Sequence, residues 1–222
     1  LCRSEIMNWM DLLLDLDGYS IIGTVAFAVS GYLLGVRKHL DLLGVVIVTL
    51  LTAIGGGIIR DMLVGRMPMV FLDNTNLVVI ALTVLLAWLV RLHKRENEVL
   101  TTLFIIADSI GLVAFSLAGA KLGVEFHLNA FGVILLGFVT AVGGGIVRDM
   151  MVNDVPFILH KDFYGTVSIV VAALLFVLSR FGWDHLLAVQ LVFVAGVALR
   201  LLAHWGELSL PKLAAQRKGR DN

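Results

Sequence analysis

Apolar positions in this chain fall into long runs broken by short polar stretches, without the two-residue alternation of half-buried strands. Seven runs come close to the ~20 residues that cross a ~30 Å hydrocarbon core. They predict helices over Tyr19–Val36, Leu42–Gly65, Leu77–Leu92, Leu100–Gly119, Ala130–Val152, Phe163–Arg180 and His185–Leu202. The pattern therefore predicts an all-α polytopic membrane protein. Its organisation reads as an N-terminal segment 1–18, a first repeat 19–92, a basic linker 93–99, a second repeat 100–180, a seventh span 181–206 and a basic tail 207–222.

The repeat is explicit in the residues. Moved forward by 88 positions, residues 22–68 fall without a gap on residues 110–156, and 24 of the 47 positions are identical. The match peaks where Gly55-Gly56-Gly57-Ile58-Ile59-Arg60-Asp61-Met62 recurs as Gly143-Gly144-Gly145-Ile146-Val147-Arg148-Asp149-Met150. Three spans per copy is an odd number, so the second copy enters the bilayer from the opposite face. Such inverted pairs place a permeation or substrate site near the midplane, where the copies meet.

Composition narrows the class. Apolar residues make up 59 % of the chain and charged ones 15 %, with a mean hydropathy of +0.95. That leaves no room for a separate soluble domain. Cys2 is the single cysteine, which excludes an internal disulfide and a thiolate metal cluster. The acidic early region and the length of the first apolar run argue against a cleavable signal. No nucleophile–base pair or metal-ligand spacing points to an enzyme; no resident metal, cofactor or nucleic-acid partner is expected.

The zero net charge hides an asymmetry across the bilayer. With the N-terminus outside, the inner side carries Arg37, Lys38, Arg91, Lys94, Arg95, Lys161, Arg200, Lys212, Arg217, Lys218 and Arg220. The outer side keeps Arg3, Arg66, Lys121 and Arg180. The positive-inside rule then orients the N-terminus out and the C-terminus in, with the tail near anionic inner-leaflet lipid.

The glycine triplets are the first candidate chemistry. Each glycine weakens a helix by ~1 kcal/mol relative to alanine. Breaks at Gly55, Gly56, Gly57 and at Gly143, Gly144, Gly145 would kink the second and fifth helices and turn the carbonyls of 51–54 and 139–142 toward a cavity, where they could replace water around a cation. Thr52 and Thr140 occupy matching positions and could add hydroxyl ligands. The plainer alternative is close helix packing on small residues.

Arg60 and Arg148, with Asp61 and Asp149, are the second candidate. An arginine inside a span is costly unless paired or wetted. Neighbouring residues point ~100° apart on a helix, so no simple Arg60–Asp61 pair is expected, and a symmetry-crossed bridge would have to close ~12 Å. The expectation is a water-filled vestibule at each mouth lined by one arginine; a structural ion pair locking helices is the alternative. Asp108, Ser116 and Lys121 lie on span four and Ser30 on span one. Asp108 and Ser116 share a face that could line a path, although hydroxyls also glue helices, and Lys121 near the outer end more often snorkels. Pro68 and Pro156 are expected to end the second and fifth helices. His39 and His127 read as solvated loop residues.

Taken together, Gly-Gly-Gly-Ile-x-Arg-Asp in spans two and five, Gly-Thr-Val-Ala-Phe-Ala-Val-Ser-Gly at 23–31 and Asp-Ser-Ile-Gly-Leu-Val-Ala-Phe at 108–115 resemble the bacterial branch of the trimeric intracellular cation (TRIC) channel family, a domain also labelled glycine transporter. The resemblance spans roughly residues 20–200. It implies a homotrimer in a bacterial or archaeal cell membrane, with one hourglass pore per protomer and passage of K⁺ with Na⁺. It also implies glycine kinks at 55–57 and 143–145, Arg60, Asp61, Arg148 and Asp149 as the associated charges, and bound phospholipid as a candidate ligand. The lipid-binding element of animal members is not evident in span four, where Gly119-Ala120-Lys121 is only a faint counterpart. A secondary transporter of a small zwitterion such as glycine is the rival function.

Overall fold

The computed structural model describes residues 16–160 and 164–206. They form seven long helices: α1 (Leu16–Arg37), α2 (Leu42–Leu63), α3 (Thr75–Leu89), α4 (Asn97–Glu125), α5 (Ala130–Met151), α6 (Tyr164–Arg180) and α7 (Leu186–Trp205). A 3₁₀ turn at Met69–Phe71 and one helical turn at Phe157–His160 follow α2 and α5. No strand occurs among the described residues. Six of the spans are long and apolar enough to cross a bilayer, and α6 is a shorter apolar helix. All seven expected spans are present, with ends moved by a few residues. The expectations that rest on Cys2, Arg3, Lys161 and the tail after Glu207 lie outside the described residues.

Inverted symmetry can be read from the contacts themselves. Gly23 of α1 packs on Phe115 of α4, and its counterpart Gly111 packs on Phe27. Phe27 and Phe115 meet edge to face at 5.1 Å, mate against mate. In the same way, Gly56 faces the carbonyl oxygen of Thr140, and Gly144 faces that of Thr52. The crossings α1–α4 and α2–α5 thus form the centre, with α3 and α6 outside them. Helix α7 has no counterpart. It lies on α4 and α6, where Gly196 packs against Val113 and Val171, so it covers the second repeat only.

Local signals explain the helix ends. Asp41 and Asn129 cap α2 and α5 by accepting the N–H of Gly44 and Gly132 at 2.7 and 2.8 Å. His39 and His127 adopt left-handed conformations, φ 55° and 52°, just past α1 and α4. They are helix-stop residues, a role beyond the solvated loop expected of them. Pro68 and Pro156 do not end α2 and α5. Those helices stop earlier, and the left-handed residues Gly65 and Asn153, also 88 apart, turn the chain.

Both triplet-bearing helices remain α-helical throughout, from Leu42 to Leu63 and from Ala130 to Met151. The expected freeing of carbonyls into a cavity does not occur. The Thr52 and Thr140 carbonyls instead press against glycine Cα positions of the opposite repeat. Without a side chain between them the backbones come close enough for dispersion and Cα–H···O contact, which take the place of hydrophobic association in lipid.

Candidate functional site

Near the chain's symmetry centre every predicted polar residue is buried, and the two repeats use them differently. Thr52 and Thr140 donate to the carbonyls of Val48 and Leu136 on their own helices. Both are fully buried in the crossing, so their donors are already committed.

Contrary to expectation, each arginine pairs with its neighbour. Arg60 Nε donates to Asp61 Oδ1 at 2.8 Å, and Arg148 Nε donates to Asp149 Oδ1 at 2.8 Å. A 100° offset between Cβ directions still leaves the two side chains within reach, because the long arginine stem folds back along the helix. The second carboxylate oxygen binds the turn beyond the helix: Asp61 Oδ2 accepts from Met69 N–H at 3.0 Å, and Asp149 Oδ2 from Phe157 N–H at 2.8 Å. Each Asp therefore ties the end of α2 or α5 to the segment that follows. Arg66, counted in the sequence as an outer-loop charge, adds a second cation to Asp61 at 2.8 Å.

Beyond this shared unit the halves diverge. Arg60 borders a small pocket of about 20 Å³ lined by Ser20, Thr24, Asp61, Asn76 and Phe115, room for about one water. Arg148 is held differently. It is fully buried, and its Nη1 donates at 2.5 Å to both Asp108 of α4 and Ser30 of α1. Its guanidinium also lies 4.7 Å from the centre of the Phe104 ring. The difference is written in the repeat, since Asp108 and Ser30 align with Ser20 and Ala118, so Arg60 has no counterpart of Asp108. One arginine thus faces a pocket and the other locks three helices.

On the far side of that lock lies a vestibule of about 370 Å³ with Arg37, Lys38, Phe104, Asp149 and Asp154 on its walls. Contacts run from one cavity to the other: Phe115 touches Phe27, Phe27 lies beside Gly144, and Arg148 bonds to Asp149. The α2–α5 crossing and the Arg148 network stand between the two cavities.

The hydroxyl face of α4 splits in two. Asp108 belongs to the Arg148 network, whereas Ser116 donates to the Ser168 carbonyl at 2.8 Å and accepts from the Ser168 hydroxyl at 3.0 Å. Ser116 thus joins α4 to α6. Lys121 stands apart, beside a cavity of about 200 Å³ with Glu125, Ser179 and Asp184. Sequence reasoning missed Phe104, Asn76, Tyr164 and Arg200. Arg200, assigned to the inner tail, is in α7 and only 1 % exposed.

Comparisons with known proteins agree on one relationship. The family model described as glycine transporter matches residues 19–92 and 105–180. A "UPF0126 membrane protein" of Deinococcus radiodurans is 40 % identical over 168 residues, 74 % of this chain and 73 % of the relative. The "UPF0126 inner membrane protein YadS" of Escherichia coli is 30 % identical over 97 % of this chain and its own full length. A structure described as revealing conductance through TRIC cation channels superposes with a TM-score of 0.77 at 34 % identity, covering 90 % of this chain and 98 % of that one. The TRIC orthologue from Rhodobacter sphaeroides superposes with a TM-score of 0.80 at 27 % identity, covering 90 % and 100 %.

Proposed function

Because this chain is a multi-pass membrane protein that belongs to the TRIC channel family, we propose that it is a cation channel permeable to K⁺, with one path in each protomer of a homotrimer. The observation that carries this reading is the pair of polar cavities, one lined mainly by the first repeat and one by residues of both, lying on either side of the glycine crossing and the Arg148 lock. These cavities support a path that enters from both sides and is closed between them.

The path runs from the Arg60 pocket past Gly55–Gly57 and Gly143–Gly145 to the Asp149 vestibule. Opening parts the crossing and releases Arg148 from Asp108 and Ser30, exposing carbonyls of Thr52 and Thr140 to the ion. Breaking this buried pair costs ~3–5 kcal/mol unless new partners or water replace it, a barrier of the size a membrane potential supplies at ~2.3 kcal/mol per charge per 100 mV. The N-terminus faces outward, as the basic loops indicate. Bound phospholipid is assigned to the apolar groove of about 700 Å³ between α1, α2 and α3, whose end at Trp88 and His93 adjoins Arg91, Lys94 and Arg95.

The glycine-transporter label gives the rival, in which Arg148 would receive a carboxylate and an acidic residue an ammonium group. Proteoliposomes loaded with K⁺ separate the two. A channel releases K⁺ without any amino acid present. Saturable [¹⁴C]glycine uptake without K⁺ leak would replace the channel reading.

A further inference from the structure

Three buried donors on α5, α6 and α7 have no acceptor among the described residues: Arg148 Nη2, Tyr164 Oη and Arg200 Nε. Their residues are 0 %, 2 % and 1 % exposed. Tyr164 Oη and Arg148 Nη2 lie 3.2 Å and 3.7 Å from one point, the place a methyl group on Gly145 would occupy. The Arg200 guanidinium carbon stands 4.9 Å from the centre of the same Tyr164 ring. Orphaned donors this deeply buried each call for a partner.

Charge decides what kind. Arg148 has Asp108 and Asp149. Arg200 has no carboxylate within bridging distance among the described residues, only the rings of Tyr164 and Phe157. Cation–π attraction returns ~0.5–2 kcal/mol, less than the several kcal/mol that a guanidinium loses on leaving water. Asp108 attracts Arg200 only from beyond bridging distance and is engaged by Arg148, so water would accept the hydrogen bonds but add no compensating charge. A small anion at that point accepts from Tyr164 and Arg148 and brings a negative charge to the neighbourhood of Arg200. Glycine at 145 leaves the near wall bare, where any side chain would meet Tyr164 Oη.

We propose that Arg148, Tyr164 and Arg200 bind a small inorganic anion, with chloride as the probe, and that this anion fastens α7 to the lock formed by Arg148. The site borders the proposed cation path at Gly145 and Arg148, but anion binding is read without any measurement of conduction, so it stands or falls apart from the channel reading.

The test is thermal unfolding of purified full-length protein in potassium gluconate, with chloride titrated in at constant ionic strength. The wild type should show a saturable rise of several degrees. Arg200→Gln should abolish the response, and Tyr164→Phe, which keeps the ring, should move its midpoint roughly tenfold toward higher chloride, as expected for one charge-assisted hydrogen bond. Should Arg200→Gln fail to fold, anomalous scattering from bromide in wild-type crystals gives the answer, with a peak expected within hydrogen-bond distance of Tyr164 Oη. A wild type indifferent to chloride, an Arg200→Gln response equal to the wild type's, or no bromide peak at Tyr164 would overturn the proposal.

Discussion

Alanine placed at each glycine of the first triplet separates close packing from flexibility as the reason for these glycines. A Cβ on Gly56 would fall on the Thr140 carbonyl oxygen, well inside contact distance, and backbone cannot rotate away as a side chain would. The α2–α5 crossing would have to open by about 1 Å, and overpacking of this kind typically costs ~1–3 kcal/mol. At Gly57 the only neighbour of an added Cβ is Arg60 Nη2 at 3.9 Å, and at Gly55 the nearest atom is Gly144 Cα at 3.5 Å. There the alanine is accommodated, and helix propensity favours it by up to ~1 kcal/mol. Gly56→Ala should therefore melt below Gly57→Ala by an amount equivalent to ~2–4 kcal/mol, or several degrees at ~2–4 °C per kcal/mol for a chain of this size. Gly144→Ala should match Gly56→Ala, because it meets the Thr52 carbonyl in the same way. Thermal melts of purified protein in detergent, followed by size-exclusion fluorescence, give the comparison. If Gly57→Ala is as damaging as Gly56→Ala, the triplet is needed for its pliability and the packing argument fails.

Three further outcomes follow from the geometry. Arg148→Ala strands two buried carboxylates and should cost ~3–5 kcal/mol, visible as loss of monodisperse protein; Asp108→Asn, which keeps the shape and a hydrogen-bond acceptor, should retain most of it. Ser116→Ala removes the link to Ser168 and should lower the melting temperature by the equivalent of ~0.6 kcal/mol, the average for hydrogen bonds between membrane helices. Lys38→Ala should be near neutral in the same melt even though Lys38 and Asp154 lie 2.6 Å apart, because both partners are more than a third exposed.

The fold was legible because it depends on two coarse signals, span length and an 88-residue repeat, and both survive in the packing: Gly23 with Phe115 mirrors Gly111 with Phe27. Parts of the site were legible for the same reason. Arg60, Asp61, Arg148 and Asp149 occupy equivalent positions and make equivalent bonds through Met69 and Phe157. The pairing of adjacent residues was misjudged because backbone angles were used where side-chain reach decides. The glycines were expected to break helices, but periodicity does not show which surface a helix presents to its partner. Tyr164, Phe104 and Arg200 gave no signal. They act through α7 and the α4–α6 neighbourhood, and α7 has no second copy to compare with. A usable clue did exist in the departures from the repeat: Asp108 against Ser20, and Ser30 against Ala118, mark where one half gained a lock.

The account rests on the Arg148–Asp108 bridge closing a cation path between the repeats. Single-channel recording of wild-type protein and Asp108→Asn in planar bilayers, under a KCl gradient with no amino acid present, tests it directly. The account predicts unitary currents reversing toward the K⁺ equilibrium potential, and a higher open probability in Asp108→Asn. Silent bilayers from correctly folded samples of both proteins, or wild-type currents that Asp108→Asn leaves unchanged, would contradict it.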